Sequence, residues 1–362
     1  MFWEKEGKLI YSYDGETVCI EAWGKDALRV RATKNRSFTG RDWALEAKDA
    51  HAGEVEIFED PSAKGGAFAN MYEGTDTSYG KITNGKLHAV IDSGSVITFY
   101  HEDGRVLLKE HFRRLRDEES MPLNIMGREY SNGVGDNFRI VARFVARKGE
   151  KIFGMGQYQQ HELDLKGCML ELAQRNSQVS VPFYLSSIGY GFLWNNPGVG
   201  QVMFANNGTE WVTESGKEID YLVIAGDTPA EIEENYMTLT GKPPMMPEYG
   251  MGFWQCKLRY WNQEQLLSVA RKYKELGVPL DVIVVDFFHW TKQGEFKFDP
   301  KYWPDVPGMC RELKEMGIQV VVSVWPTVDI YSENFEEMKE KGYLVRTEHG
   351  VPLTMLCGGN EV

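Results

Sequence analysis

Cationic charge is the first thing this chain is short of. Its 362 residues carry 40 Lys and Arg against 53 Asp and Glu, a net charge of -13. No basic footprint exists for a nucleic-acid backbone or an anionic membrane surface. Apolar runs are also missing: none approaches the ~20 residues that a membrane-spanning helix needs. The opening Met1-Phe2-Trp3-Glu4-Lys5-Glu6-Gly7 lacks the basic start and apolar centre of a secretory signal. The expectation is a cytoplasmic protein with neither nucleic-acid nor membrane partners. Cysteines are few and scattered. Cys19, Cys168, Cys256, Cys310 and Cys357 never stand in CxxC spacing, which leaves no disulfide framework or zinc site to read. The seven His form no His-x-x-x-His pair, so no metal and no other cofactor is expected.

Aromatic residues, by contrast, are abundant. They make up 12% of the chain and include 10 Trp. Flat rings suit sugar faces and nucleobases alike, and the acidic charge disfavours the latter. A length of 362 residues predicts two domains, or three. Residues 1–225 read as β-structure, because short alternating runs are broken by Gly, Asn and Asp. Leu28, Val30 and Ala32 alternate with Arg29 and Arg31, and Phe138, Ile140, Ala142 and Phe144 alternate with Arg139 and Arg143. Residues 96–100 and 105–108 flank His101-Glu102-Asp103-Gly104, an Asp-Gly hairpin signal. Many strands with few helices imply a β-sandwich. Residues 118–137 read as a loop-rich region inside it.

Residues 226–246 read as a short helix and a Pro-rich linker, ending in Thr240-Gly241-Lys242-Pro243-Pro244. From 247 to 362 the pattern changes to strand, connection, amphipathic helix, strand. Strands are expected at 250–255, 282–285 and 319–324. Helices are expected after Asn262, whose pairing with Gln265 resembles a capping box, around 307–316, and at 332–341. That period is one βα unit. No Gly-rich phosphate turn follows any of the strands, which favours a (β/α)8 barrel over a dinucleotide-binding sheet. A barrel needs eight units and ~250 residues, so three units amount to a truncated one. An open third strand would expose unpaired backbone groups, and self-association into a homo-oligomer is the corresponding expectation.

In a barrel the C-terminal ends of the strands build the active site. Asp286 ends the apolar run Val282-Ile283-Val284-Val285 and precedes Phe287-Phe288-His289-Trp290. It is the sharpest candidate, with capping of the following loop as its structural alternative. Trp325 holds the same place after the third strand and could be either a sugar platform or packing. Gln255, Lys257 and Arg259 alternate after the first, where some point inward and others are rim charges. His289 reads as a loop histidine and Asp329 as a helix-entry residue. Pairing Asp286 with Asp329 as the two carboxylates of a glycosidase is not favoured, since nothing brings them to the separation that chemistry requires.

Several segments together resemble glycoside hydrolase family 31, nearest its α-xylosidases and α-glucosidases. They are Gly154-Met155-Gly156-Gln157, Asn176, Pro182-Phe183, residues 189–197 (GYGFLWNNP), residues 252–260 (GFWQCKLRY), residues 279–286 (PLDVIVVD) and residues 323–327 (SVWPT). The resemblance spans roughly residues 138–362 in order. It implies a β-sandwich followed by the first three βα units of a (β/α)8 TIM barrel. It also implies a retaining exo-acting α-glycoside hydrolase, most nearly an α-xylosidase, acting on oligosaccharides without a metal. Its catalytic residues, an Asp nucleophile and an Asp acid/base, would fall on later strands, beyond Val362, so these 362 residues alone are expected to be inactive. By the same resemblance Asp286 binds hydroxyls of the terminal sugar, Phe287, Phe288 and Trp325 line its subsite, and the turn from Gly154 leans toward the barrel mouth. α-Glucosidase, α-glucan transferase and a noncatalytic carbohydrate-binding protein are the alternatives.

Overall fold

The computed structural model describes residues 1–46, 49–61, 76–111, 126–347 and 349–353. The chain divides into two compact units, Met1–Pro243 and Pro244–Val362. No helix among the described residues is long and apolar enough to cross a membrane.

The first unit is a β-sandwich whose larger layer is an antiparallel sheet. Its strand order is Phe2–Lys5, Lys8–Tyr13, Glu16–Trp23, Ala27–Thr33, Ile219–Ala225, Tyr190–Trp194, Val179–Ser186, Ile152–Gln157, with Ala50–His51 paired to Glu16–Trp23. Ala27–Thr33 therefore pairs with a strand almost two hundred residues away. Two five-stranded sheets form the facing layer, one from Val106–Lys109 to Glu54–Phe58, the other from Arg128–Asn132 to Met169–Leu172. Their edges are stitched together where Val145 N donates to Lys109 O at 2.9 Å and His111 N to Arg143 O at 2.8 Å. Between the layers the inward residues of each alternating strand, among them Leu28, Val30, Ile140 and Phe144, merge into one core. Aromatic rings run through it: Phe192 lies 5.2 Å from Tyr221 and 5.3 Å from Phe144, and Trp194 lies 5.6 Å from Trp211.

The predicted hairpin forms as Ile97–His101 and Val106–Lys109, with Gly104 at φ +87° supplying the left-handed turn position. Of the predicted loop at 118–137, residues 118–125 lie outside the described residues. Arg128–Asn132 is a strand instead. Its Arg128 is buried and donates to Glu16 Oε1 at 2.9 Å, Ser95 O at 2.9 Å and Glu110, long-range partners that override the Gly- and Asn-rich local signal.

Alternation also misplaces Arg29, whose face should be solvated. It is fully buried instead, because the helix Pro229–Thr240 and the segment around Leu45 cover that side of the sheet. Leu45, Leu193, Leu222, Ile232 and Leu239 pack there, and Phe183 stacks on Tyr236 at 3.8 Å. Burial of the guanidinium is made tolerable by partners on every side. Arg29 donates to both carboxylate oxygens of Asp220, at 3.0 and 2.7 Å, and to Asp42 at 2.8 Å, and its plane lies 4.7 Å from the Trp23 ring centroid. Asn195 Nδ2 donates to the same Asp220 at 2.9 Å.

The second unit holds three parallel strands, Trp254–Cys256, Val282–Val285 and Gln319–Val322, in that order, with Trp254 opposite Val282 and Val282 opposite Gln319. Helix Gln263–Glu275 connects the first pair, Val306–Glu315 the second, and Phe335–Glu340 follows the third. Asn262 Oδ1 accepts from Gln265 N at 2.9 Å, and Gln265 Oε1 reaches back to accept from Trp261 N at 2.8 Å. Asp305 caps the second helix through Gly308 N at 2.8 Å. Gly277 and Gly317, at φ +65° and +75°, end the two helices. Their apolar stripes, including Leu266, Ala270, Met309 and Leu313, pack with Ile283 and Val285.

The first strand starts later than the expected 250. A 3-10 turn occupies Glu248–Met251, and the carboxylate of Asp281 presses on Gly252, where an added Cβ would stand 2.2 Å from it. Phe253 N donates to Asp281 Oδ2 at 3.0 Å, so residues 252–253 serve as that side chain's seat rather than as strand.

Replacing Asp220 by Ala removes the bidentate, fully buried one of the two carboxylates that hydrogen-bond a fully buried guanidinium. Chemical denaturation of the sandwich is expected to show a loss of ~3–5 kcal/mol; a loss below ~1 kcal/mol would show the pair to be dispensable.

Candidate functional site

A parallel strand packed between layers stays apolar until it emerges, and the second strand emerges at Asp286. Val282, Ile283 and Val285 are buried and Asp286 is half-buried. Its Oδ1 accepts from Phe287 N at 2.8 Å. Its Oδ2 lies 3.8 Å from the thiol of Cys256, which ends the neighbouring strand. Burial and the adjacent carboxylate both push that thiol's pKa up, so Cys256 stays protonated and can donate.

Phe287 is half-buried and stacks on Trp325 with centroids 5.6 Å apart and planes at 26°; Phe288 follows at 4.5 Å from Phe287. The ends of the second and third strands therefore meet in an aromatic wall beside Asp286. Phe288 is 55% exposed and adopts φ +61°, left-handed backbone that is costly for a bulky side chain and turns its ring outward. Beyond it stand Arg259, 5.1 Å from the Phe288 centroid, and Trp261, 3.6 Å from the same guanidinium.

The structure thus brings Asp286, Phe287, Phe288 and Trp325 together. Gln255 points the other way: its Oε1 accepts from Tyr273 OH of the helix at 2.6 Å, and its Nε2 donates to Cys256 O at 2.9 Å. Lys257 is exposed and has no ion-pair partner among the described residues. His289 is the loop histidine it was expected to be. Its Nδ1 lies 3.1 Å from Asp286 O and its ring sits against Trp290 and Phe298, at 4.7 and 4.8 Å. Asp329 likewise shapes its own loop, accepting from Tyr331 N at 2.8 Å.

Sequence reasoning missed how the loops after the second and third strands hold each other. Gln293 Nε2 donates to Thr327 Oγ1, Asn334 Nδ2 to Gly294 O at 2.7 Å, and Lys292 Nζ to Tyr331 O at 3.0 Å. It also missed the Arg259 stack. These contacts join residues tens of positions apart, and no spacing rule signals them. Among the described residues no His, Cys, Asp and Glu gather in a group able to hold a metal ion.

Desolvation lowers the His289 pKa, with Asp286 opposing. A depressed histidine pKa contributes stability that is fully present above the unfolded value, ~6.5, and is lost as pH falls from there through the folded one. The second unit is therefore expected to destabilise on acidification below about pH 6.5. His289→Gln should flatten that slope in denaturation measured across pH; an unchanged slope would assign it to other groups.

Comparison with known proteins agrees with both units. The family description "Glycosyl hydrolase 31 N-terminal galactose mutarotase-like domain" matches residues 17–202, and "Glycosyl hydrolases family 31 TIM-barrel domain" matches residues 243–359. An uncharacterized family 31 glucosidase, ORF2, of Pseudescherichia vulneris is 42% identical across 99% of this chain and 66% of its own length. α-Xylosidase A of Aspergillus niger is 29% identical across 96% of this chain and 47% of its own. The crystal structure of a soil-metagenome α-xylosidase complexed with xylose superposes with a TM-score of 0.88 at 46% identity, over all of this chain and 52% of that one. The chain spans about half to two thirds of the length of these relatives.

Proposed function

The chain belongs to glycoside hydrolase family 31, and from that premise we propose that the complete protein is a retaining, exo-acting α-glycoside hydrolase. It releases terminal α-linked xylose, in preference to glucose, from oligosaccharides. The observation that carries this reading is the half-buried Asp286 carboxylate beside the Phe287–Trp325 wall, at the C-terminal ends of parallel strands. An aromatic face takes the apolar side of a pyranose, and a carboxylate accepts from its hydroxyls. Lys257, exposed at the end of the first strand, supplies a donor to the same sugar, and Gln255 holds that strand end against its helix. α-Xylosidase A and the xylose-complexed structure support xylose as the sugar.

Retaining hydrolysis proceeds by double displacement. A nucleophilic carboxylate forms a glycosyl-enzyme as an acid protonates the leaving oxygen, and the same group, now a base, activates water. The two carboxyls stand ~5–5.5 Å apart in such enzymes. We assign neither role to Asp286 or Asp329, one binding sugar and the other bound in its loop, and place both catalytic aspartates beyond Val362. Residues 1–362 alone should turn over neither aryl α-xyloside nor aryl α-glucoside. Turnover surviving rigorous removal of host glycosidases would contradict this.

Xylose lacks the exocyclic hydroxymethyl of glucose, so a side chain that fills that volume selects it. We assign that filling to Phe287 or Phe288, whose rings lie 4.5 Å apart directly after Asp286. In the complete protein, Phe287→Ala or Phe288→Ala should shift the xyloside-to-glucoside kcat/KM ratio toward glucoside by about 10-fold. Unchanged selectivity in both variants would remove the steric argument and favour an α-glucosidase or α-glucan transferase.

A further inference from the structure

Arg259 differs from the ion-paired arginines of this acidic chain; Arg36, Arg41 and Arg311 also have no ion-pair partner among the described residues, but those three are exposed. Arg271 pairs with Glu264 and Glu312, Arg143 with Glu129 and Glu210, and Arg128 with Glu16 and Glu110. Arg259 is half-buried, yet its guanidinium has no carboxylate or carbonyl partner among the described residues. With 53 acidic side chains in the chain, an unmatched arginine in so partly enclosed a place leaves donors for something that is not protein.

What holds it is aromatic. Trp261 lies 3.6 Å and Phe288 5.1 Å from its guanidinium carbon. Stacking fixes the plane of the group while leaving the N–H edge free, which presents a rigid fork of donors rather than a mobile point charge. Phe288 reaches this position through its left-handed φ of +61°, and Trp261 is 59% exposed beside it. The Phe287–Phe288 pair links the stack to the wall next to Asp286. From the terminal-sugar pocket outward, the order is therefore Asp286, Phe287, Phe288, Arg259, Trp261.

We propose that Arg259 binds the leaving-group side of the substrate, its fork donating to two neighbouring hydroxyls of the sugar next to the scissile bond, with Trp261 as that sugar's platform. This rests on the glycosidase reading above and adds what that reading leaves open, recognition of the aglycone. Neutral hydroxyls are the partners, because the Asp286 carboxylate shares the mouth and would repel an acidic sugar.

The test uses the complete protein and two substrates sharing a terminal sugar: a xylosyl oligosaccharide, and α-xylosyl fluoride, whose leaving group carries no hydroxyl. Arg259→Gln and Arg259→Lys should lower kcat/KM for the oligosaccharide by about 10- to 100-fold, the size of a lost charge-assisted hydrogen bond. The fluoride should change by less than about 2-fold. Trp261→Ala should act in the same direction, through KM. Equal losses on both substrates would overturn the assignment, since Arg259 would then serve the terminal sugar or the fold. No loss on either would overturn it too, as would a wild-type preference for a uronate over a neutral sugar at that position. A wild-type protein inactive on both substrates would defeat the glycosidase reading itself, and this inference with it.

Discussion

The apolar strand Val282–Val285 gives way to a charged side chain only where it ends, and the second unit is organised by that constraint. The run from Val282 to Val285 is held between its strand neighbours by continuous register, and its buried side chains leave Asp286 as the first residue able to keep a charge. Everything proposed about sugar recognition depends on that placement. The carboxylate is aimed by one backbone amide and one thiol, and the aromatic wall beside it exists because the third strand ends level with the second. The loops beyond are tied to each other through Gln293, Lys292 and Asn334, so their rings are carried on a braced surface.

The sandwich solves the opposite problem, charge that cannot escape burial. Arg29 sits on a strand whose two faces are both covered, one by the aromatic core and one by the helix Pro229–Thr240. A bidentate Asp220, a second carboxylate from Asp42 and the face of Trp23 together replace the water it loses. Arg259 is held by aromatics too, but without counter-charges, and that contrast separates a structural arginine from one with donors to spare.

The class of each half was legible because it rests on period. Alternation at Phe138–Phe144 and the Asp-Gly turn at Gly104 report strands, and the pairing of Asn262 with Gln265 reports a helix start, all through neighbours a few residues apart. Asp286 was legible for the same reason, a carboxylate at the end of an apolar run. Failures came where distant residues decide. Arg29 is buried by elements far along the chain, Arg128–Asn132 becomes a strand through partners at Glu16 and Ser95, and Gly252 is claimed by Asp281. Gln255 shows the limit of alternation at a strand end, since its side chain turns to Tyr273. The Arg259 stack joins residues after two different strands, and no local spacing could announce it.

The central claim is that Asp286 binds hydroxyls common to both candidate sugars. Asp286→Ala in the complete protein, assayed for kcat/KM on an α-xyloside and an α-glucoside, tests it most directly. Loss of a charge-assisted hydrogen bond to the reacting ring should depress both by about 10- to 150-fold, the equivalent of ~1.5–3 kcal/mol in barrier, with their ratio nearly unchanged. Near-normal rates on both would reduce Asp286 to a loop cap and contradict the account.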